Sequence, residues 1–67
     1  MVITFMRELT DEEKERLRTY VGFYRGVASF IGDNVLEIRP KDKFSEEELM
    51  TTLESLQIPI ENVDVTS

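Results

Sequence analysis

A two-layer α+β domain is the fold class this sequence predicts, and three observations predict it. Four short segments are rich in β-branched and aromatic residues. Two longer segments carry apolar residues at helical spacing behind capping signals. The six alternate in the order β-α-β-β-α-β. The 67 residues are expected to form one domain over 1–67.

The first strand is expected over Met1 to Arg7, where Ile3/Phe5 and Val2/Met6 are both apolar sets. A period of two sends successive side chains to opposite faces, so one set goes under helices and the other is left facing away. Thr10-Asp11-Glu12-Glu13 then has the form of a capping box. Leu17, Tyr20, Val21 and Tyr24 follow at i, i+3, i+4 and i+7, the stripe of a first helix. Gly22 lies inside it, at a cost of about 1 kcal/mol relative to alanine. Arg25-Gly26 is expected to end the helix, with the glycine as its left-handed residue.

Val27 to Ile31 and Val35 to Arg39 flank Gly32-Asp33-Asn34, a set of turn formers, and read as a hairpin. A three-residue loop places Ala28 and Phe30 on the same face as Leu36 and Ile38, whereas a two-residue loop puts Val27, Ser29 and Ile31 there. The first is favoured because it buries a phenylalanine rather than a serine. Pro40 ends the strand, having no amide to donate to a ladder. A second helix is expected to start at Ser45 as N-cap, with Glu48 as its capping-box partner and Phe44 and Leu49 as a hydrophobic staple. Leu49, Met50, Leu53 and Leu56 form its stripe, and Gln57-Ile58-Pro59 ends it. Ile60 to Val65 is the last strand, with Val63 and Val65 facing the core.

This order resembles the ferredoxin-like plait, a four-stranded antiparallel sheet in spatial order 4-1-3-2 with two helices on one face. The likeness is one of architecture and implies no activity. The expected core is Ile3, Phe5, Leu17, Tyr20, Val21, Phe30, Leu36, Ile38, Leu49, Leu53, Leu56, Val63 and Val65.

Composition narrows the function classes. Fourteen acidic residues against eight basic ones leave a formal charge of −6, which argues against nucleic acid or an anionic membrane as partner. Cysteine and histidine are absent, which removes disulfides, thiolate metal sites and the usual general base near neutral pH. No run approaches the ~20 apolar residues of a membrane helix, and no basic region precedes the short apolar start, so the expected location is cytoplasmic. The carboxylates fall in first helical turns, i,i+4 pairs and a turn, without the spacing of a catalytic pair or a calcium loop, and no cofactor is expected.

Two further patterns bear on function. Arg25 to Ile31 loosely echoes the base-stacking strand of plait-type RNA-binding domains, but Ser29 stands where the aromatic belongs and the charge has the wrong sign. Arg25, Arg39, Lys41 and Lys43 would gather at one edge of a plait as a possible anion-binding group, opposed by Glu46, Glu47 and Glu48 at the adjoining helix start. The leading expectation is a non-enzymatic association module. It would pair with a second copy, or with another protein, through an open sheet face of Val2, Thr4, Met6, Val27, Ser29, Ile31, Val35 and Glu37. The alternative is a sensor of an anionic small molecule bound at the protomer edge, and the third is a nucleic-acid-binding plait.

Overall fold

In the computed structural model, which describes residues 1–65, the chain runs β1 (Val2–Phe5), α1 (Asp11–Phe23), β2 (Gly26–Phe30), β3 (Val35–Pro40), α2 (Glu46–Ser55) and β4 (Ile60–Asp64). The strands form one antiparallel sheet in the order β2-β3-β1-β4, and with its two helices the layout is that of the ferredoxin-like plait.

The hairpin has the expected register. Ala28 pairs with Ile38 and Phe30 with Leu36, and the Ile31 amide donates to the Val35 carbonyl at 2.9 Å, closing a three-residue loop. Gly32, at φ 82°, supplies the left-handed residue that this loop needs. Ile3 pairs with Leu36 on one side and Val63 on the other, so the core-facing residues of the central strands line up in a row. Ile3, Phe5, Leu36 and Ile38 are buried against Leu17 and Val21 of α1 and Leu49 and Leu53 of α2. Tyr20, Phe30, Leu56 and Val63 pack at the margin of this cluster.

Both ends of α1 are fixed by named groups. The Glu13 amide donates to the Thr10 hydroxyl at 3.2 Å and the Thr10 amide to the Glu13 carboxylate at 2.9 Å, the expected capping box. At the far end, however, Arg25 and not Gly26 takes the left-handed conformation, at φ 67°. Gly26 begins β2 and is buried: a Cβ there would stand 2.9 Å from Val21 Cγ1, 3.0 Å from Phe44 Cε1 and 3.2 Å from Ile38 Cγ2. Close approach of helix and sheet, rather than backbone handedness, is what this glycine provides.

Three other expectations are corrected. Ser45 precedes α2 but its side chain makes no capping bond, because its backbone lies at φ −103°, ψ 85°, away from the extended conformation that aims a cap hydroxyl at the first turn. Val65 is 61% exposed, since the β1–β4 ladder ends at the Val2–Asp64 pair and the chain has passed the helix-covered part of the sheet. Met6 lies in a bend just past β1, where its amide donates to the Pro59 carbonyl at 3.0 Å. Two core residues come from connections instead of periodic segments: Leu9, before the cap of α1, and Ile58, between α2 and β4.

Candidate functional site

The alternation that buries Ile3, Phe5, Leu36 and Ile38 turns their strand neighbours to the other side of the sheet. The rows of this helix-free face follow from the register. Ser29, Glu37, Val2 and Asp64 lie side by side across the four strands, and Val35, Thr4 and Asn62 form the next row, extended by Ile31 through its hydrogen bond to Val35. Val27 stands beside Arg39 at the end where α1 joins the sheet. Val27 is 41% exposed and Ile31 55%, whereas Val2, Thr4, Val35 and Glu37 are half-buried by their neighbours. The face therefore carries its apolar side chains, Val27, Ile31, Val35 and Val2, on β2, β3 and β1 among Ser29, Thr4, Glu37 and Arg39, and is polar on β4. Met6, 68% exposed, adds apolar surface from its bend.

Glu37 sits in the middle of these side chains. Its carboxylate accepts from Arg39 Nε at 3.3 Å, two residues along β3, with the arginine largely in solvent. Arg39 is thus held on the helix-free face. The other three basic residues lie in the connections: the Lys41 amide donates to the Arg25 carbonyl at 2.9 Å, so these two backbones adjoin, and Lys43 follows in a tight turn at φ 65°. Arg25, Lys41 and Lys43 are brought to one end of the fold, and Arg39 stands at the same end with its guanidinium turned to Glu37. The first turn of α2, with Glu46, Glu47 and Glu48, stands beside this end, and the Ser45 amide donates to the Tyr24 carbonyl at 3.1 Å.

An open hollow of about 610 Å³ occurs at the same end, floored mainly by apolar side chains of Val2, Ile38, Pro40 and Phe44 and rimmed by Glu37, Arg39 and Glu46. The Glu37 and Glu46 carboxylates stand here with the Arg39 guanidinium and the Met1 amino group, so the lining carries no surplus of positive charge to hold an anion.

No family model matches this chain, and no curated protein and no solved structure matches it. Among the described residues, no three carboxylates are grouped to hold a metal ion, and no helix is long and apolar enough to cross a membrane.

The charged pairs found elsewhere secure the fold. Arg7 and Glu13 form a two-pronged contact, with Nη1–Oε1 at 2.9 Å and Nη2–Oε2 at 2.5 Å, in front of the α1 cap. That hydrogen bond from Arg7, helped by the Thr10 amide, lowers the Glu13 pKa to about 2. Lys14 reaches Asp33 of the hairpin loop at 2.8 Å, and Lys14 and Arg18 stand 5.9 and 5.1 Å from the centre of the Phe30 ring. Sequence spacing does not disclose these Phe30 contacts, because they join a helix to a strand that follows it.

Proposed function

We propose that this protein is a non-enzymatic association module that pairs with a second copy through the helix-free face of its sheet. One observation carries the reading: Val2, Val27, Ile31 and Val35 stand together on that face without a covering layer. A chain of this size buries only roughly 60% of its unfolded surface, so covering these side chains also enlarges a core that is small by itself. A two-fold axis needs only one self-complementary patch, which makes a homodimer the simplest assembly. A sensor of anions at Arg25, Arg39, Lys41 and Lys43 has less support, given the engagement of Arg39 by Glu37 and the three glutamates opening α2.

Sedimentation over a wide concentration range tests the proposal. The unaltered protein should shift from monomer to dimer as concentration rises, and Val35→Lys should move that transition to much higher concentration by placing a charge in the contact. A monomer at every concentration, with Val35→Lys indistinguishable from it, would refute the reading.

A further inference from the structure

The two edges of the sheet are finished differently. β4 is guarded: it carries Glu61 and Asp64, and Glu61 is an extra residue between the Thr4–Asn62 and Phe5–Ile60 pairs, a bulge of the kind that protects an edge. β2, the opposite edge, has no such device. Residues 26–32, Gly-Val-Ala-Ser-Phe-Ile-Gly, form the longest uncharged stretch of a chain that is one-third charged, and β2 has neither proline nor register shift.

The direction of the free backbone groups on β2 is fixed by its ladder. Ile31 N–H to Val35 O at one end and Lys41 N–H to Arg25 O at the other set the phase, so the odd residues 25 to 31 bond to β3. The N–H and C=O groups of Gly26, Ala28 and Phe30 then point outward along the edge. This set is self-complementary. In an antiparallel pairing about a two-fold axis through Ala28, Ala28 meets Ala28 of the second copy and Phe30 meets Gly26, so every outward donor on these three residues finds an acceptor.

Side chains and charge fit the same arrangement. Ala28 is small and Gly26 has no side chain, so neither sets a bulky side chain of its own directly opposite its partner residue in the second copy. Each copy carries a charge of −6, and this edge is where two copies meet with the least repulsion: Arg25 is the one charged residue between 25 and 32, and the side chains laid over Phe30 are the cations Lys14 and Arg18. We infer that β2 pairs edge to edge with β2 of a second copy, joining two four-stranded sheets into one of eight strands. The contact goes beyond the face pairing proposed above and is carried by other residues, so a chain using both would assemble into species larger than a dimer.

Amide hydrogen exchange, read residue by residue at low and high protein concentration, tests it. The Val27 and Ser29 amides should be protected at both concentrations, as members of the β2–β3 ladder. Ala28 and Phe30 should exchange freely when dilute and slow by about tenfold once about nine-tenths of the chains are paired. The same slowing should persist in Val35→Lys, where the face contact is disabled, and should be lost in Ala28→Pro, which deletes an outward N–H and leaves the β3 ladder untouched. Self-association of the unaltered protein without slowing at Ala28 and Phe30 would overturn the edge contact and leave the face reading standing. A protein that remains monomeric when concentrated would overturn both.

Discussion

The Tyr24 hydroxyl lies 2.8 Å from the Thr52 hydroxyl, a hydrogen bond that joins the end of α1 to the middle of α2. It lets a ring from the apolar stripe of α1 pack beside the core while its polar end is satisfied. Either oxygen can donate, so removing one hydroxyl leaves the other at a partly buried site without its partner. Tyr24→Phe and Thr52→Val should each lower unfolding free energy by about 1 kcal/mol, and the double variant should cost less than their sum. A double-mutant cycle in chemical denaturation measures this coupling, and strictly additive losses would show that the bond contributes nothing.

Three neighbouring positions at the end of α1 should respond to substitution in different directions. Gly26→Ala introduces a methyl group only 2.9 Å from Val21 and 3.0 Å from Phe44, and overpacking of this sort should cost about 1–3 kcal/mol. Gly22→Ala meets nothing within 4 Å and lies within the helix, so it should stabilise by about 0.5–1 kcal/mol. Arg25→Gly relieves the left-handed strain at φ 67° but frees the unfolded chain, for a net gain of about 0.5 kcal/mol. Denaturation midpoints of the three variants should therefore fall, rise and rise.

The acid limb of stability should depend on Glu13. Its carboxylate is held at about 2 in the fold, below its ordinary 4.5, chiefly by the hydrogen bond from Arg7 and then by the Thr10 amide. A lowered folded-state pKa means that the unfolded chain binds the proton more readily. The stabilisation is therefore complete above about 4.5 and is lost as pH falls from there through about 2. Glu13→Gln keeps an acceptor for the Thr10 amide but cannot titrate. Its stability should fall less steeply over that window than the parent's, and parallel profiles would count against the Arg7–Glu13 contact.

Much of this fold was legible in the residue pattern because each element carries its own local signal. The Thr10–Glu13 box, the Leu17–Val21 stripe, the Gly32-Asp33-Asn34 turn and Pro40 all act within a few residues of themselves, and the hairpin register is the one that buries Phe30. Leu9 and Ile58 carry no such signal, because periodicity says nothing about an isolated apolar residue in a connection. Leu9 does precede the Thr10 cap, the position from which a side chain can pack back on a helix, and that was the available signal. The roles of Arg25 and Gly26 were exchanged because both readings of glycine, left-handed turn and close approach, leave the same letter in the sequence. Only the nearness of Val21, Phe44 and Ile38 separates them. On the candidate face, alternation puts Val2, Val27, Ile31 and Val35 on the side turned away from the helices, but the hydrogen bond from Arg39 to Glu37 has no signal in the residue pattern.

Glu37 is the group that pairing through the helix-free face must desolvate. It stands between Val2 and Ser29 in its row, with Arg39 as its side-chain partner. Covering such a pair removes water from both charges, and an apolar residue of similar size is often the more favourable occupant. Glu37→Leu should therefore tighten self-association on the order of tenfold, about 1.4 kcal/mol. Arg39→Leu should do the reverse, since it leaves the Glu37 carboxylate in the contact without a counter-charge. The net charge also changes in both variants, and Glu54→Gln, which removes one negative charge from the exposed side of α2, controls for that. Dimer dissociation constants from sedimentation equilibrium should rank Glu37→Leu tightest, the parent and Glu54→Gln close together, and Arg39→Leu weakest. If Glu54→Gln tightens association as much as Glu37→Leu does, general charge repulsion explains the effect, and this face is not where the two copies meet.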